Sequence, residues 1–373
     1  MQLDFTYFNQ NEDIWEQYQH LLSSVDYVFV QQYVNWVKVV EEQGKDKAIL
    51  VYAIENNAVV GAILVYLRET ECGNVLFSNP QPGSIGSFVV KSNLNQSVIL
   101  SELVSFLDDL AKKPGCLSFT ITTNPFYSSF DLKQLFSEDY IFESEVLSIP
   151  QDSIFDSDDN IILRDYNRRS QLSRSLKNAS KNEFVVIESK KYMDLVKWNE
   201  INQVRCKEQN ATPIDFSFFE SMFNHLVLNN LGALILVLYK EEVVGGGIFI
   251  HNNKIVDIFR MSTPRDYQEL GVNYAFIDYS IKWARKSGFT YFNWQSSNPP
   301  SGGIYRFKKQ WGSQPYSYHF LTRIITPFLE DRVIDIDDAK KHFQNTYLVP
   351  YGAFDNPNQK IHSKSSGSVY LPT

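Results

Sequence analysis

The sequence predicts an α/β (α+β) protein in which one mixed-sheet unit flanked by helices is used twice. Three observations predict it. An order of five elements recurs: apolar strand, short charged turn, apolar strand, long amphipathic helix, strand. It runs from Ala48 to Thr122 and again from Leu234 to Trp294. Val59-Val60-Gly61 and Val243-Val244-Gly245 open the second strand at equivalent places in the two halves, and agreement of element order is the signature of an internal repeat. Finally, 373 residues exceed a usual single domain, and 43% hydrophobic with 14% aromatic content supplies enough apolar surface for two cores.

Taken in order, Asp13 to Leu22 reads as a helix and Phe29 to Val40 as a second. Ala48 to Ile54 is a continuous apolar strand, Glu55-Asn56-Asn57 a hairpin turn, and Val59 to Tyr66 its partner. Val75 to Ser78 starts another strand and runs into the turn-rich Asn79-Pro-Gln-Pro-Gly83. Ser97 to Lys113 is an amphipathic helix, and Cys116 to Thr122 a strand. The acidic, aperiodic stretch Gln151 to Asp159 marks a linker. We therefore expect domains at 1–155 and 156–326, with an extension over 327–373 that holds a short helix (Asp337 to Gln344) and a polar tail.

In the second half, Leu234 to Tyr239 and Val243 to Ile250 flank the turn Lys240-Glu241-Glu242. Ile255 to Met261 is a strand, Ser262 to Leu270 a polar turn, and Gly271-Val272-Asn273 opens a helix. That helix carries an apolar stripe at Val272, Ala275, Phe276, Tyr279 and Trp283. Lys286-Ser287-Gly288 ends it, with basic residues in the last turn and glycine at the stop. Phe289 to Trp294 is a strand, and Asn298 to Lys308 reads as a loop.

Composition narrows the function classes. No apolar run approaches the roughly 18–20 residues that span a bilayer, and Met1-Gln-Leu-Asp-Phe5 lacks the features of a signal peptide. Cys72, Cys116 and Cys206 form no C-x-x-C pair, which points to a reducing, cytoplasmic setting and away from a disulfide framework. No H-x-x-x-H or carboxylate cluster suggests a metal. A net charge of −8 weighs against nucleic acid, and so against tRNA as a donor.

The chemistry gathers around residues 255–312. Free backbone N–H groups at a helix start, backed by the positive dipole end, make a seat for phosphates. Gln268-Glu-Leu-Gly271-Val272-Asn273 resembles the Q/R-x-x-G-x-G/A pyrophosphate loop of the GNAT acyltransferases, with Asn273 where a small residue is usual. Gly303-Ile-Tyr305-Arg-Phe307-Lys308-Lys-Gln-Trp311-Gly312 is similar to the G-x-x-x-F-K-x-x-W/F-G signature of the FemAB proteins, which carry two GNAT folds in one chain. The resemblance spans roughly residues 10–325 and implies tandem GNAT-like domains, the later one binding acyl-CoA and the earlier one shaping an acceptor cleft at the domain interface.

Residue by residue, it implies acyl-CoA phosphates at Gln268, Gly271, Val272 and Asn273, and pantetheine along the backbone at Arg260 and Met261. A lysine in a basic stretch is ordinarily a solvated charge. Lys308, however, lies between Phe307 and Trp311, and the matching Phe-Lys pair of FemAB proteins lines the acceptor site. A fixed cation there stabilises a tetrahedral oxyanion. Tyr305 is the candidate proton donor to the leaving thiolate, one tyrosine among 21.

Trp36 and Lys38 in Asn35-Trp36-Val37-Lys38 are similar to the W-x-K segment that FemX-type members use on nucleotide phosphates. Arg205 follows a helix where those proteins place an arginine for the same task, and a cation pair suits a diphosphate. Asn167 to Lys177 resembles the R-x-x-I-R-K-A helix of the family, and its ordinary reading is a basic solvated face. One departure is informative. Peptide-extending members carry an aspartate before a proline, whereas this chain reads Thr123-Asn124-Pro125. An amide cannot take a proton at ordinary pH, so Asn124 is left a substrate-binding role. His251 and His319 have no compelling base position and are expected to be structural.

These residues point to an acyl-CoA-dependent N-acyltransferase acting on a nucleotide-linked amino sugar, for example a dTDP-3-amino-3,6-dideoxyhexose of a surface-polysaccharide pathway. The alternatives are a tRNA-dependent aminoacyltransferase on a peptidoglycan precursor, or a non-catalytic GNAT-like binding module.

Overall fold

The computed structural model describes residues 1–78, 85–92, 94–127, 130–137, 139–155, 161, 166–252, 254–296, 302–327 and 334–343. The chain divides into two compact units, Met1–Glu145 with Ser317–Thr373, and Val146–Tyr316. This division differs from the sequence-based 1–155, 156–326 and 327–373: the stretch after residue 317 belongs with the first unit.

The first unit is built from β1 (Gln2–Tyr7), α1 (Glu12–Ser23), α2 (Val34–Glu41), β2 (Asp46–Glu55), β3 (Ala58–Thr70), β4 (Gly73–Phe77), β5 (Val89–Val90), α3 (Gln96–Lys112), β6 (Cys116–Thr122), α4 (Phe130–Leu135) and the first half of β7 (Tyr140–Pro150). Asn56 and Asn57 take positive φ (51° and 60°), the conformation a two-residue hairpin turn demands, and so fix the β2–β3 register. Ile99, Leu103 and Leu107 of α3 pack on Ile49, Val51, Ile63, Val65 and Phe119 to make the core. Strands run β1-β2-β3-β4-β6-β13, where β13 (Gln314–Ile324) pairs antiparallel with β6 from Phe320↔Thr122 to Ile324↔Ser118. The unit also includes α11 (Ile336–His342).

The second unit contains α5 (Tyr166–Ala179), β8 (Val185–Ser189), α6 (Tyr192–Glu208), α7 (Phe216–Met222), β9 (Gly232–Tyr239), β10 (Glu242–Asn252), β11 (Ile255–Ser262), α8 (Arg265–Gln268), α9 (Val272–Lys286), β12 (Tyr291–Ser296) and α10 (Gly303–Gln310). Its strands run β12-β11-β10-β9-β8, and Val146 to Pro150 of β7 pair with β12. Ala233, Ile235 and Val237 face one core with Val272, Phe276 and Ile281 of α9. Leu234 and Leu236 are buried on the opposite face, as period-two alternation requires. The β9–β10 turn places Lys240 and Glu241 at φ 49° and 67° without help from asparagine or glycine.

Several expectations are corrected. Asn298 to Lys308 was expected to be a loop, but Gly303–Gln310 is helix α10, with Phe307 and its C-cap Trp311, four residues apart, packed on the second unit's core. The helix expected over Phe29 to Val40 is a short 3-10 turn (Val30–Gln32) followed by α2, with Tyr33 extended between them. Strands β1, β7 and β13 and helix α7 carried no sequence assignment. The Pro-Gln-Pro-Gly turn, most of the linker and the polar tail lie outside the described residues. Among the described residues no helix is long and apolar enough to cross a membrane, and no group of His, Cys, Asp or Glu is placed to hold a metal ion.

Candidate active site

The second unit opens where two parallel strands part. β11 and β12 pair only from Ile255↔Tyr291 to Asp257↔Asn293, yet they continue to Ser262 and Ser296. Below the parting the strands are clamped by Asn293 Nδ2 donating to Asp257 Oδ1 at 2.6 Å, both residues buried. Above it, backbone on the facing edges has no ladder partner across the gap, a place where an extended ligand can pair with the chain.

The start of α9 stands beside this gap. Gly271 caps the helix at φ 88°, and a Cβ there would lie 2.9 Å from Ala179 Cβ and 3.1 Å from Ala179 Cα. Glycine is thus required twice, by backbone conformation and by the last turn of α5 resting on the loop. Asn182 Nδ2 donates to Leu270 O at 2.9 Å and fixes the same contact. The N–H groups of Val272 and Asn273 have no intrahelical partner by construction. Asn273 is turned back toward β11, its Oδ1 accepting from Thr263 Oγ1 at 2.6 Å, while Gln268 Nε2 donates to Thr263 O at 3.2 Å. Two of the residues expected on phosphate therefore brace the loop with their side chains. Val272 is fully buried, so the exposed part of the helix end is at Asn273.

Lys308 reaches the end of β12. Its Nζ donates to Trp294 O at 3.0 Å, Trp294 Nε1 donates to Ser313 Oγ at 2.7 Å, and Ser313 Oγ donates to Lys308 O at 2.7 Å. This closed circuit sets α10 against the strand end. Phe307 adds edge-on contacts to Tyr274, in the first turn of α9, and to Trp294. Burial of the ammonium pushes Lys308 down to about 8 from its ordinary 10.5. At neutral pH it is still mostly a cation, held beside the parted strands.

The remaining expected residues lie as follows. Lys38 is exposed in the last turn of α2, whereas Trp36 is wholly buried in the first unit's core and presents no surface to a ligand. Asn124 is buried: its Nδ2 donates to Tyr27 O and its Oδ1 accepts from Phe126 N, each at 2.9 Å, so its amide turns its own loop and ties it to the chain at Tyr27. Arg205 lies within α6 rather than after a helix, and its guanidinium pairs with Glu208 at 2.6 Å. Tyr305 is half-buried on α10 against the core. Met261 packs against the α9 side, while the Arg260 side chain is turned to α6. His251, packed on Phe289 and Trp283, is pushed down to about 4 by burial. Burial likewise lowers His319, with Lys133 adding to the effect.

Sequence reasoning missed Thr263, Trp294 and Ser313, whose signal is contact across the fold rather than any motif. It also missed Asn202 and Cys206, spaced four apart on the sheet-facing side of α6.

Residues 197–308 match the Acetyltransferase (GNAT) family, a span that holds the parted strands, the α9 start and Lys308. No curated protein sequence matches the chain. Among solved structures, FemX has a TM-score of 0.68 at 12% identity, covering 89% of this chain and 100% of that one. A tandem GNAT protein from the clavulanic acid biosynthesis pathway has a TM-score of 0.54 at 11% identity, covering 87% of this chain and 99% of that one. L-PGS from Bacillus licheniformis has a TM-score of 0.54 at 10% identity, covering 85% of this chain and 94% of that one. At these identities the likeness is one of fold. The chain folds as two tandem GNAT-like units, and the second carries the match to the GNAT acetyltransferase family.

Proposed function

We propose that the second unit moves an acyl group from acyl-CoA to a primary amine, and that the amine belongs to a nucleotide-linked amino sugar. The observation that carries acyl transfer is the parting of β11 and β12 beside the start of α9, with the Lys308 ammonium fixed at its edge. The family match over the same residues supports it.

The residues fit the donor in part. The N–H group at Asn273 would take a phosphate oxygen, that of Val272 being buried, and the backbone of Arg260 and Met261 would pair with an extended pantetheine arm. Asn273 narrows that seat, because its side chain fills the place of a small residue. A thioester supplies an activated carbonyl. This chain's part is to hold the reacting groups together, with Lys308 stabilising negative charge on the carbonyl oxygen and Tyr305 giving a proton to the departing thiolate, while the attacking amine releases its own proton to water, from which Tyr305 is reprotonated. Arg205 of the second unit is a cation offered to the acceptor's phosphates, and Lys38 of the first unit is a separate candidate for the same task. Arg205 must first exchange Glu208 for them. A cytoplasmic setting belongs to the same reading.

The direct test supplies the full chain with acetyl-CoA or 3-hydroxybutanoyl-CoA and a dTDP-linked amino sugar and measures free thiol. Thiol release that depends on the amine supports the reading. Ligand-induced thermal shifts with no thiol release would instead support a binding module. The absence of both sinks the proposal.

A second reading, aminoacyl transfer from tRNA, is favoured by one observation. Arg174 and Lys177 of α5 and Lys181 in the turn after it are exposed, and Ala179 of α5 touches Gly271. The fold shared with FemX and L-PGS agrees. The net charge of −8 and Asn124 oppose it. Aminoacyl-tRNA binding with a steep salt dependence is its test.

A further inference from the structure

A β-bulge aims a cation under α6. In the β10–β11 ladder Phe249 pairs with Ile258 but Ile248 pairs with Arg260, so Phe259 is one residue too many. Such a bulge reverses which face the following side chains meet, and it is a recurrent device for re-aiming a side chain next to a site. Val256 and Ile258 lie in the core with α9, whereas Arg260 and Ser262 turn to α6. Phe259 stacks on Phe218 of α7 at 5.9 Å and walls the same side.

There Arg260 Nε donates to Asn202 Oδ1 at 3.0 Å and Nη2 donates to Cys206 Sγ at 2.9 Å. Ser262 Oγ donates to Asn202 Oδ1 at 2.8 Å. Among the described residues no carboxylate pairs with Arg260, although the residue is half-buried. The Nε donor fixes which end of the Asn202 amide is oxygen, so its Nδ2, on a residue with no exposed surface, is the end left without a partner. Asn199 Oδ1, one turn before it on α6, is also buried and unpartnered. A guanidinium held by one edge still offers its Nη1–Nη2 fork, the geometry that takes two oxygens of one anionic group.

We propose that Arg260 and Asn202 form a receiving site for an anionic oxygen group, a carboxylate or a phosphate, on a small ligand that enters beside the end of β11. Arg260 grips the group end-on through Nη1 and Nη2. Asn202 holds the guanidinium through Oδ1 and offers Nδ2 as an added donor. Calling that ligand the acceptor of acyl transfer rests on the function proposed above; the binding site itself does not.

The test is a thermal-shift and calorimetric titration of the full chain with acetate and with inorganic phosphate, against chloride at equal ionic strength. The wild-type chain is expected to be stabilised by at least one of the two anions beyond chloride, and which one answers separates a carboxylate site from a phosphate site. Arg260→Gln is expected to weaken that binding about tenfold or more, while Arg260→Lys, which keeps charge but loses the fork, recovers part of it. Asn202→Asp keeps the case testable if Arg260→Gln fails to fold. It places a carboxylate on the guanidinium, so the chain should melt higher than wild type and lose the anion effect. No anion effect in wild type, or the same effect in Arg260→Gln or Asn202→Asp, overturns the proposal. Because binding is read without turnover, loss of thiol release with anion binding intact would count against acyl transfer alone.

Discussion

Replacing Lys308 by methionine removes a buried ammonium, and the pH dependence of the change in stability follows from its shifted pKa. The folded chain holds the group at about 8 against an ordinary 10.5. Below pH 8 the lysine is protonated in both the folded and unfolded states, so the full cost of burying the charge is present. Between pH 8 and 10.5 the unfolded chain binds more protons than the folded one, and stability therefore rises with pH across that window. From pH 7 to pH 10 the gain is about 2.5 kcal/mol for a shift of this size. The variant lacks this term but leaves Trp294 O without its donor, a pH-independent loss of about 1–3 kcal/mol. Urea denaturation of both chains at pH 7 and pH 10 isolates the term, because tyrosine ionisation is common to both and cancels in the difference. Wild type is expected to gain about 2.5 kcal/mol on the variant between the two pH values. Parallel curves would refute the desolvated ammonium, and with it the claim that Lys308 is held inward.

Lys308→Ala is expected to lower kcat by about tenfold or more while changing acyl-CoA affinity little, as steady-state kinetics with a binding titration would show; a loss confined to affinity would contradict a role in charge stabilisation. Gly271→Ala should destabilise the chain by roughly 1–3 kcal/mol, from the positive φ and the contact with Ala179, read by chemical denaturation. Lys38→Ala and Arg205→Ala should mainly raise the acceptor KM, and unchanged kinetics in both would remove the argument for a nucleotide-linked acceptor. Asp46→Asn should cost about 2–4 kcal/mol, because it strips the partly buried Arg68 of its buried carboxylate partner at 2.7 Å, as chemical denaturation would show.

The fold was legible where periodicity is strong. The β2–β3 and β9–β10 hairpins, α3, β6, β11 and α9 stand within a few residues of where apolar spacing puts them. Strand β13 was not legible, because Tyr316, Tyr318 and Phe320 alternate with polar residues that are exposed at one end and buried at the other. Helix α10 was hidden by its Gly-Gly entry, which reads as a turn when seen without Tyr274 and Trp294 to pack on. For the site, sequence could point to Lys308 and Gly271, since each stands in a spaced motif. It could not show that Asn273 and Gln268 hold Thr263, nor that Trp36 is sealed in the core. Such facts depend on residues distant along the chain. The Arg260 cluster was least legible of all, because a bulge shifts the alternation by one and nothing in the strand's composition announces it.

The late position of β13 sets a timetable for synthesis. Strand β6 leaves the ribosome near residue 122, but the neighbour it bonds along Thr122 to Ser118 is encoded some two hundred residues later. Until then one edge of a nearly finished, strongly apolar sheet has nothing to bond to, and such an edge invites pairing with other nascent chains. A fragment ending at residue 155 would keep that open edge permanently and should be recovered mainly in inclusion bodies. Adding residues 314–327 as a separate peptide, or splicing them on by circular permutation, should return it to solution.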